Sequence, residues 1–487
     1  MNRLEGCSIL FMFMLIMTTT PTLHYATTGA QLQNRYFQSQ SDVNNITEFS
    51  ENVLLSTADS PYANHVEPTF AITDNGTLFA GWKNAETPTG GGARVSVVKS
   101  VDGGKTWTEP YNMPHYNNQN TRQSDPWLVW HDGVLYYAYL EYSLTNTSFT
   151  QVTVAHSDNY GSSWHLAKAS NNTYFADKET MTIANDGTIY MVYDDADTSS
   201  AEGNVTIRLS RSTDGGQSFQ EISTIGWPDP GNLGPYITLN SEGHLFVAWS
   251  WVNSTYLGNL YIAKSTNEGV TFDTPRLINT DGNYTAFTSY GGAPAKSTLP
   301  VIRFDQTGRL YVLWADTFDP SAHSFDIYLR VSLDEGATWT QRYQVNPQTI
   351  GDQWQPDMDI DSANRIHIVY YDEAFGEYRP YYLTATMTGA EEDQPEFSSP
   401  IAIASEPTSS SFTRPGDYFT LRLDQNGIPQ VVWTDGRNNE MDIYYAHGIG
   451  AGETTTSGGI DILQVVVIVV VLIAVISIII IIYRRKT

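Results

Sequence analysis

The amino-acid sequence predicts an all-β fold, and two observations carry that prediction. The chain contains 37 Gly, 22 Pro, 30 Tyr and 12 Trp, a composition that is typical of short strands and turns and leaves few helix formers for a sustained heptad. The second observation is a repeated unit in which apolar and polar residues alternate and turn residues interrupt the alternation. A disordered polymer is excluded, because 41% of the residues are hydrophobic and 13% are aromatic.

The repeated unit begins with an alternating strand, an Asp- or Asn-rich turn and a second strand that ends in an aromatic residue. Its clearest copy runs from Pro68 to Trp82. Strand, turn and strand with period-two alternation indicate an antiparallel hairpin. The turns of the seven copies lie at Gly76, Gly133, Gly187, Gly243, Gly308, Asn364 and Gly427.

A second phrase follows five of the seven hairpins. In it an Asp or Asn side chain can cap turn amides, Gly can take positive φ, and a final aromatic ring can anchor the hairpin in the core. The five segments resemble the Asp-boxes, or BNR repeats, of the sialidase superfamily, and the resemblance implies a β-propeller. Asp-boxes are structural elements and imply nothing directly about catalysis. The segments are Ser100–Trp107, Ser157–Trp164, Ser212–Phe219, Ser265–Phe272 and Ser332–Trp339.

Each full unit supplies four strands, so the sequence predicts a seven-bladed β-propeller of four-stranded antiparallel blades. The seventh unit ends after its third strand, at Asp442–Ala446. We expect Glu51–Thr57 to supply the missing strand and close the ring, which removes two exposed sheet edges. The alternative is a six-bladed propeller, the blade number of the catalytic sialidases that the Asp-boxes resemble.

The flanking segments predict a surface protein with one membrane span. An apolar run preceded by Arg3 and followed by small residues indicates a signal peptide at 1–30. An apolar segment at 465–483, followed by basic residues at 484–487, predicts a transmembrane helix with a cytoplasmic tail. We therefore expect a single-pass cell-membrane protein with a polar stalk at 31–50, an extracellular propeller at 51–447 and a flexible tether at 448–464.

Charge and cysteine content narrow the classes of partner. The net charge of −27 argues against nucleic acid, because an acidic surface repels the phosphate backbone. Glycans, cations and basic surface ligands remain possible partners. The single cysteine, Cys7, excludes an intrachain disulfide, and sequons such as Asn75 are compatible with a glycoprotein.

Propeller topology predicts where ligand-binding residues meet. If the Asp-boxes lie on one face, the starts of the first strands and the ends of the second strands lie around the channel on the other face. Carboxylates outnumber bases among these residues, which suits cations or sugar hydroxyl groups. The predicted ligand-binding rim comprises Glu67, Asp177, Lys178, Tyr236, Trp354, Asp357, Asp417 and Asp435.

The resemblance to sialidases also implies a catalytic constellation. Active members hold the substrate carboxylate with three arginines, use a Tyr assisted by a Glu as nucleophile, and move the proton with an Asp. The first family arginine normally lies in a Phe-Arg-Ile-Pro phrase, whereas the matching stretch His65-Val-Glu67-Pro68 contains no arginine. Rim arginines can equally serve as structural ion pairs. The implied residues are Arg122, Arg414 and Arg437 as arginines, Tyr418 as nucleophile, Glu179 as its helper and Asp125 as acid.

Three functions are therefore open, and the enzymatic character is uncertain. The leading hypothesis is a membrane-anchored extracellular sialidase-like propeller that binds glycans or other surface ligands through its channel face. The alternatives are an exo-sialidase-like glycoside hydrolase and a structural cell-envelope or adhesion protein. We expect no cofactor and no metal. A calcium loop from Asp357 to Asn364 is unsupported, because glycine is missing at its sixth position and Ile368 replaces the bidentate glutamate.

Overall fold

A computed structural model of the protein shows seven antiparallel sheets arranged as the blades of one closed ring. It describes residues 45–56, 61–87, 92–116, 121–143, 150–170, 175–197, 203–253, 257–280, 285–286, 299–317, 325–389, 394–409 and 416–451. Within these residues the secondary structure is strand, turn and bend, with no α-helix. The prediction of an all-β, seven-bladed propeller is confirmed, and the six-bladed alternative is wrong.

In each blade the strands are arranged in chain order, with the first strand at the channel and the last strand at the outer edge. Blade 1 contains β3 (Asn64–Ile72), β4 (Leu78–Ala85), β5 (Gly92–Ser100) and β6 (Tyr111–Asn112). Blade 2 contains β7 (Arg122–His131), β8 (Val134–Tyr142), β9 (Thr150–Ser157) and β10 (His165–Lys168). Blade 3 contains β11 (Phe175–Ile183), β12 (Ile189–Ala196), β13 (Val205–Ser212) and β14 (Gln220–Asp229).

The remaining blades keep this order. Blade 4 contains β15 (Asn232–Leu239), β16 (Leu245–Val252), β17 (Leu257–Ser265), β18 (Arg276–Leu277) and β19 (Thr285–Ala286). Blade 5 contains β20 (Val301–Phe304), β21 (Leu310–Asp316), β22 (Asp326–Ser332) and β23 (Tyr343–Gln344). Blade 6 contains β24 (Asp352–Ile360), β25 (Ile366–Ala374), β26 (Glu377–Met387), β27 (Pro395–Phe397), β28 (Ile401–Ala402) and β29 (Thr408–Ser409). Blade 7 contains β30 (Thr420–Leu423), β31 (Pro429–Asp435) and β32 (Asp442–Gly450), and two N-terminal strands, β1 (Ile46–Phe49) and β2 (Val53–Leu54), pair with β32.

The inner strands form the channel wall, and the cores lie between blades. Neighbouring first strands pack against one another around the ring, and β30 packs against β3 to complete it. Large aromatic side chains on the second strands, such as Trp82, Trp249, Trp314 and Trp433, are fully buried. Several of these indoles donate to a polar residue two positions later, as Trp314 Nε1 does to Asp316 Oδ2 at 3.1 Å. The aromatic residue and the Asp that recur at the end of the second strand therefore form a structural hydrogen bond.

The N-terminal strand closes the ring as the sequence predicts. Val53 and Leu54 pair with Tyr445 and Tyr444. The Leu55 amide donates to the carbonyl of Ile443 at 2.8 Å. The last blade is thus completed by residues from the beginning of the chain.

The expected boundaries of the stalk and the tether are wrong at the end of the stalk and the start of the tether, because these two ends pair as strands. Ile46 and Phe49, expected in the polar stalk, belong to β1 and pair with Gly450 and Gly448, which were expected in the flexible tether. A Cβ atom on Gly448 would lie 2.7 Å from Pro429 Cγ and 3.0 Å from Ile46 Cδ1. The glycine therefore permits close strand packing here, and its presence does not signal flexibility.

The described residues include no helix that is long and apolar enough to cross a membrane. The predicted span at 465–483 and the predicted signal peptide at 1–30 lie outside the described residues.

Each Asp-box is held by one recurring set of hydrogen bonds. In the first box, Asp102 accepts from Thr106 N at 3.0 Å and from Ser100 Oγ at 2.8 Å. The serine that opens the box is equally important, because its buried Oγ accepts the amide of the box glycine, as from Gly104 at 2.9 Å. The same serine contact recurs in the other four boxes, at Ser157, Ser212, Ser265 and Ser332.

Candidate functional site

A bulge in the first strand carries polar side chains to the channel mouth. The strand register shifts between Val66 and Thr69 in β3 and at the matching places in β7, β11, β15 and β24. Such bulges redirect side chains and are frequent next to functional sites. Non-glycine residues take positive φ at four of these bulges: Glu67 (58°), Asp125 (52°), Lys178 (51°) and Gln355 (47°). This backbone conformation is unfavourable and needs support from the surrounding structure.

The redirected side chains meet those of blade 7 in one buried polar group, which we call the mouth cluster: Glu67, Asp125, Lys178, Glu179, Asp417 and Tyr418. Tyr418 Oη donates to Asp125 Oδ2 at 3.0 Å. Lys178 Nζ pairs with Asp417 Oδ2 at 2.5 Å and lies 3.9 Å from Asp125 Oδ2. Lys83 pairs with Glu67, whose Oε2 accepts the Asp125 amide at 3.4 Å. The structure thus joins blades 1, 2, 3 and 7 through side chains that the sequence singled out, together with Lys83.

Glu179 occupies an unusual position within this cluster. The equivalent residue is apolar in the other six blades, namely Pro68, Pro126, Pro235, Pro300, Pro356 and Phe419. Glu179 is almost fully buried, and within the described part of the chain neither of its carboxyl oxygens has a hydrogen-bond partner. Burial, reinforced by the charge of Asp125, raises the pKa of Glu179 well above its usual range. A buried acid without a partner is costly to the fold, which points to a functional role.

The same environment shifts the pKa values of Glu67, Asp177 and Tyr418. Burial raises the pKa of Glu67 to about 7, although Lys83 opposes the shift. Burial and the charge of Asp125 raise the pKa of Asp177, beside the cluster, to about 6. Burial, followed by the charges of Asp125 and Glu179, raises the pKa of Tyr418 well above its usual value. Tyr418 is therefore a hydrogen-bond donor in this state and does not carry the phenolate charge of a nucleophile.

The channel below the mouth is lined by alternate residues of the first strands. A first layer contains Trp127, Tyr236 and Asp357, and their rings and carboxylate line a cavity of about 50 Å³ next to Lys178 and Tyr418. Trp127 packs edge-on against Tyr236 and Tyr418, with ring centroids 5.5 and 6.3 Å apart. Tyr236 and Asp357 were expected at the rim, and the structure places them on this wall.

Two channel arginines, Arg303 and Arg422, were missed by the sequence reasoning. They lie two residues after Val301 and Thr420, whose side chains belong to the first layer, so period-two alternation points them at the channel as well. The predicted site positions were the starts of the first strands and the ends of the second strands, whereas the alternation along β20 and β30 points to both arginines. Arg422 Nη1 donates to Asp357 Oδ2 at 3.1 Å.

Other predicted site residues are structural. Trp354 is fully buried and stacks on Tyr371 with ring centroids 4.4 Å apart, so its placement at the rim is wrong. The bulge in β24 begins at Trp354 and sends Gln355, the next residue, to the mouth instead. Asp435 accepts from Trp433 Nε1 at 3.0 Å and pairs with Arg437 Nη2 at 2.5 Å. Asp435 is therefore also misplaced in the predicted rim.

The implied arginine clamp is not assembled from the described arginines. Arg437 donates to Asn52 and packs on the Tyr444 ring at 4.5 Å, which ties it to the closure strand. Arg122 instead pairs with Glu86 at 2.9 Å. Arg414 lies outside the described residues.

A possible metal-ligand group among the described residues lies away from the mouth cluster. Glu242, His244 and Glu335 place ligand atoms near one another at an Asp-rich turn and an Asp-box. Lys264 and Asn240 already bind the Glu335 carboxylate, so this group is an ion-pair network of the turn face. Asp361, in the segment weighed as a calcium loop, instead caps the turn amides of Ala363 and Arg365.

Comparisons with known proteins identify a family and several solved structures that are similar to the chain. The family described as BNR repeat-like domain matches residues 36–292, which is more than half of the chain. No curated protein matches the chain. A protein of unknown function from Dyadobacter fermentans is 16% identical with a TM-score of 0.48, over 68% of this chain and 95% of that one.

Two further solved structures are enzymes. The Trypanosoma rangeli sialidase, in complex with the inhibitor DANA, is 14% identical with a TM-score of 0.45, over 70% of this chain and 59% of that one. An alpha-L-arabinofuranosidase from Fusarium graminearum, in complex with an iminosugar inhibitor, is 15% identical with a TM-score of 0.46, over 82% of this chain and 98% of that one.

Proposed function

The chain belongs to the family of BNR repeat-like domain proteins, and on that premise we propose that it binds neutral glycans at the mouth cluster. The observation that carries the proposal is Glu179, a buried acid whose carboxyl oxygens have no hydrogen-bond partner among the described residues, at a position that is apolar in every other blade. Carboxyl groups are good hydrogen-bond partners for sugar hydroxyls. The rings of Trp127 and Tyr418 lie next to this group and offer apolar faces to a sugar.

The charge of the cluster selects against acidic sugars. Glu67, Asp125 and Asp417 face Lys83 and Lys178, so carboxylates outnumber cations. A ligand carboxylate about 4 Å from one ionised acid is opposed by about 4 kcal/mol at an effective dielectric constant near 20. A neutral glycan avoids this repulsion, whereas a sialic acid does not.

Placement at the cell surface belongs to the same proposal. It is supported by the apolar segments at 1–30 and 465–483 and by the basic residues at 484–487. Expression of a chain that ends at Ala451 tests it, because such a chain keeps β32 complete. We expect this chain in the medium, and its retention in membranes would show that the N-terminal segment is an anchor.

An array of neutral, sialylated and basic glycans tests the binding directly. The full chain in detergent micelles should bind neutral glycans, and both Asp125→Asn and Tyr418→Phe should weaken the affinity at least tenfold. Matched controls on the opposite face are Asp158→Asn and Tyr160→Phe, which should bind like the unmodified chain. Binding restricted to sialylated glycans, or binding that both mouth variants leave unchanged, would refute the proposal.

A glycoside hydrolase is the second candidate, because one specific observation favours it. Burial raises the pKa of Glu179 well above its usual range, which favours the protonated form that a general acid requires, and the Tyr418–Asp125 hydrogen bond lies in the same cluster. Incubation with fluorogenic neutral glycosides and a fluorogenic sialoside separates the two functions. Turnover that is lost in both Glu179→Gln and Tyr418→Phe would replace binding by hydrolysis, and the absence of both turnover and binding would favour a structural role.

A further inference from the structure

The lower half of the channel contains a separate cavity, which we call the lower channel. It has a volume of about 340 Å³ and extends from the layer of Trp127 and Tyr236 toward the Asp-rich turns. Ligand pockets in proteins commonly begin near this size. Its walls include Val129 and Ile183 on one side and Arg303 and Arg422 on the other, and none of the mouth cluster residues lines it.

The two arginines present unused donors to this cavity. Arg303 uses Nη1 for the Ile302 carbonyl at 3.0 Å, and Arg422 uses Nη1 for Asp357 and for the Leu421 carbonyl. Both guanidinium groups line the cavity, and within the described residues their Nε and Nη2 atoms donate to no carboxylate and to no backbone carbonyl. A guanidinium group carries five N–H donors arranged as a fork, so most of the N–H donors of the two arginines remain available to a ligand.

The nearby acids Asp357 and Asp359 do not occupy these remaining N–H donors. Asp359 accepts from the backbone amides of Ile360 at 3.0 Å and Leu423 at 2.9 Å. Asp357 accepts from the Leu421 amide at 2.9 Å in addition to Arg422. Arg303 therefore makes no hydrogen bond to a carboxylate in the described part of the chain. The buried Tyr236 side chain lies beside it, with its ring centroid 5.0 Å from the Arg303 guanidinium carbon.

We propose that the lower channel is a second binding site, for a small organic oxyanion whose carboxylate or phosphate group meets Arg303 and Arg422 while its apolar body packs against Val129 and Ile183. Arginine forks bind both kinds of oxyanion in bidentate fashion. Val129 and Ile183 form an apolar patch on a wall that also carries His131 and Thr182, and an inorganic ion alone leaves that patch uncovered. The residues that would bind the oxyanion are distinct from the mouth cluster, although Trp127, Tyr236 and Arg422 line both cavities.

Fluorine NMR on the full chain tests the proposal with three probes of one shape: 4-fluorobenzoate, 4-fluorophenyl phosphate and the uncharged 4-fluorobenzamide. We expect at least one of the two anions to bind at least tenfold more tightly than the amide. The preferred anion identifies the oxyanion as a carboxylate or a phosphate. Equal binding of all three probes would overturn the proposal.

Two variants locate the site. Arg303→Gln should weaken anion binding at least tenfold, and the matched control Arg276→Gln, on the outer strand β18, should leave it unchanged. Because loss of Arg303 could also disturb the fold, Val129→Trp provides a second route by filling the cavity without removing a charge, and it should abolish binding of the same probe. Anion binding that survives both Arg303→Gln and Val129→Trp would place the site elsewhere and contradict the proposal.

Discussion

Glu179 shows how one residue can combine a cost to stability with a use in function. Its carboxyl group is buried without a hydrogen-bond partner in the described structure, where six equivalent positions carry Pro or Phe. Folding gains nothing from such a group, because burial removes its hydration without replacement. We propose that a ligand supplies the missing partner.

Replacement of Glu179 by Gln should therefore not destabilise the protein. The amide has nearly the same shape as the protonated carboxyl and never ionises, so we expect the free energy of unfolding at pH 7 to be unchanged or raised by up to about 1 kcal/mol. Chemical denaturation at pH 7 measures the difference. A loss of more than about 2 kcal/mol would mean that Glu179 has a stabilising contact.

Glu67 makes the stability of the protein depend on pH. Its pKa is about 7 in the folded chain against an ordinary value of 4.5, so the folded state binds more protons than the unfolded state between these values. The free energy of unfolding should therefore fall as pH rises through this window, by at most about 1.4 kcal/mol per pH unit for this one group. Denaturation curves from pH 5 to pH 8 should show a shallower fall for Glu67→Gln than for the unmodified chain. Parallel curves would exclude the assignment.

At the scale of elements, the opening serine of each Asp-box is the buried member of the turn. Ser332 Oγ accepts the Gly336 amide at 2.7 Å and donates to Asp334 at 2.8 Å. Ser332→Ala leaves that amide without its partner, and we expect a loss of about 1–2 kcal/mol in the free energy of unfolding. Ser241→Ala, at an exposed turn, is the control and should change stability by less than about 0.5 kcal/mol. Equal effects at both sites would show that the serine contact adds no stability.

The repeated elements were predictable because their signals are local. Period-two alternation and turn residues fix the hairpins, and the Asp-box sequence fixes the third turn. The ends of elements were less predictable: the fourth strand of blade 1 contains only Tyr111–Asn112. The pairing of Ile46 with Gly450 could not be read from sequence, because it joins residues far apart in the chain and depends on the geometry of closure.

The candidate site was predictable only in part, because it also depends on geometry that local sequence signals do not specify. The strand starts led to Glu67 and Lys178, and the resemblance to sialidases led to Asp125 and Tyr418. The structure brings these four residues together. The assignment of Trp354 to the rim is wrong because of the bulge in β24. One extra residue in a strand reverses the side of the sheet that the neighbouring side chains face. Asp435 was assigned to the rim because it is acidic and lies at the end of a second strand. Its carboxylate instead accepts a hydrogen bond from the buried Trp433 indole, which is a structural role.

At the scale of the whole molecule, the ring depends on a strand from the opposite end of the chain. Leu55 is 2% exposed and packs in the core between blades 7 and 1, whereas its neighbour Leu54 is 44% exposed. Leu55→Ala should lower the free energy of unfolding by about 2–5 kcal/mol, because it opens a cavity at the closure. Leu54→Ala should cost less than about 1 kcal/mol. Similar losses for the two variants would indicate that closure does not limit the stability of the ring.

The most direct test of the glycan proposal is an equilibrium titration of the unmodified chain and Glu179→Gln with the neutral glycan that binds best in the array. We expect the variant to remain folded and to bind at least tenfold more weakly, a loss of about 1.4 kcal/mol, because the ligand hydroxyl no longer meets the buried carboxyl. Unchanged affinity in a folded Glu179→Gln variant would contradict the placement of the glycan at the mouth cluster.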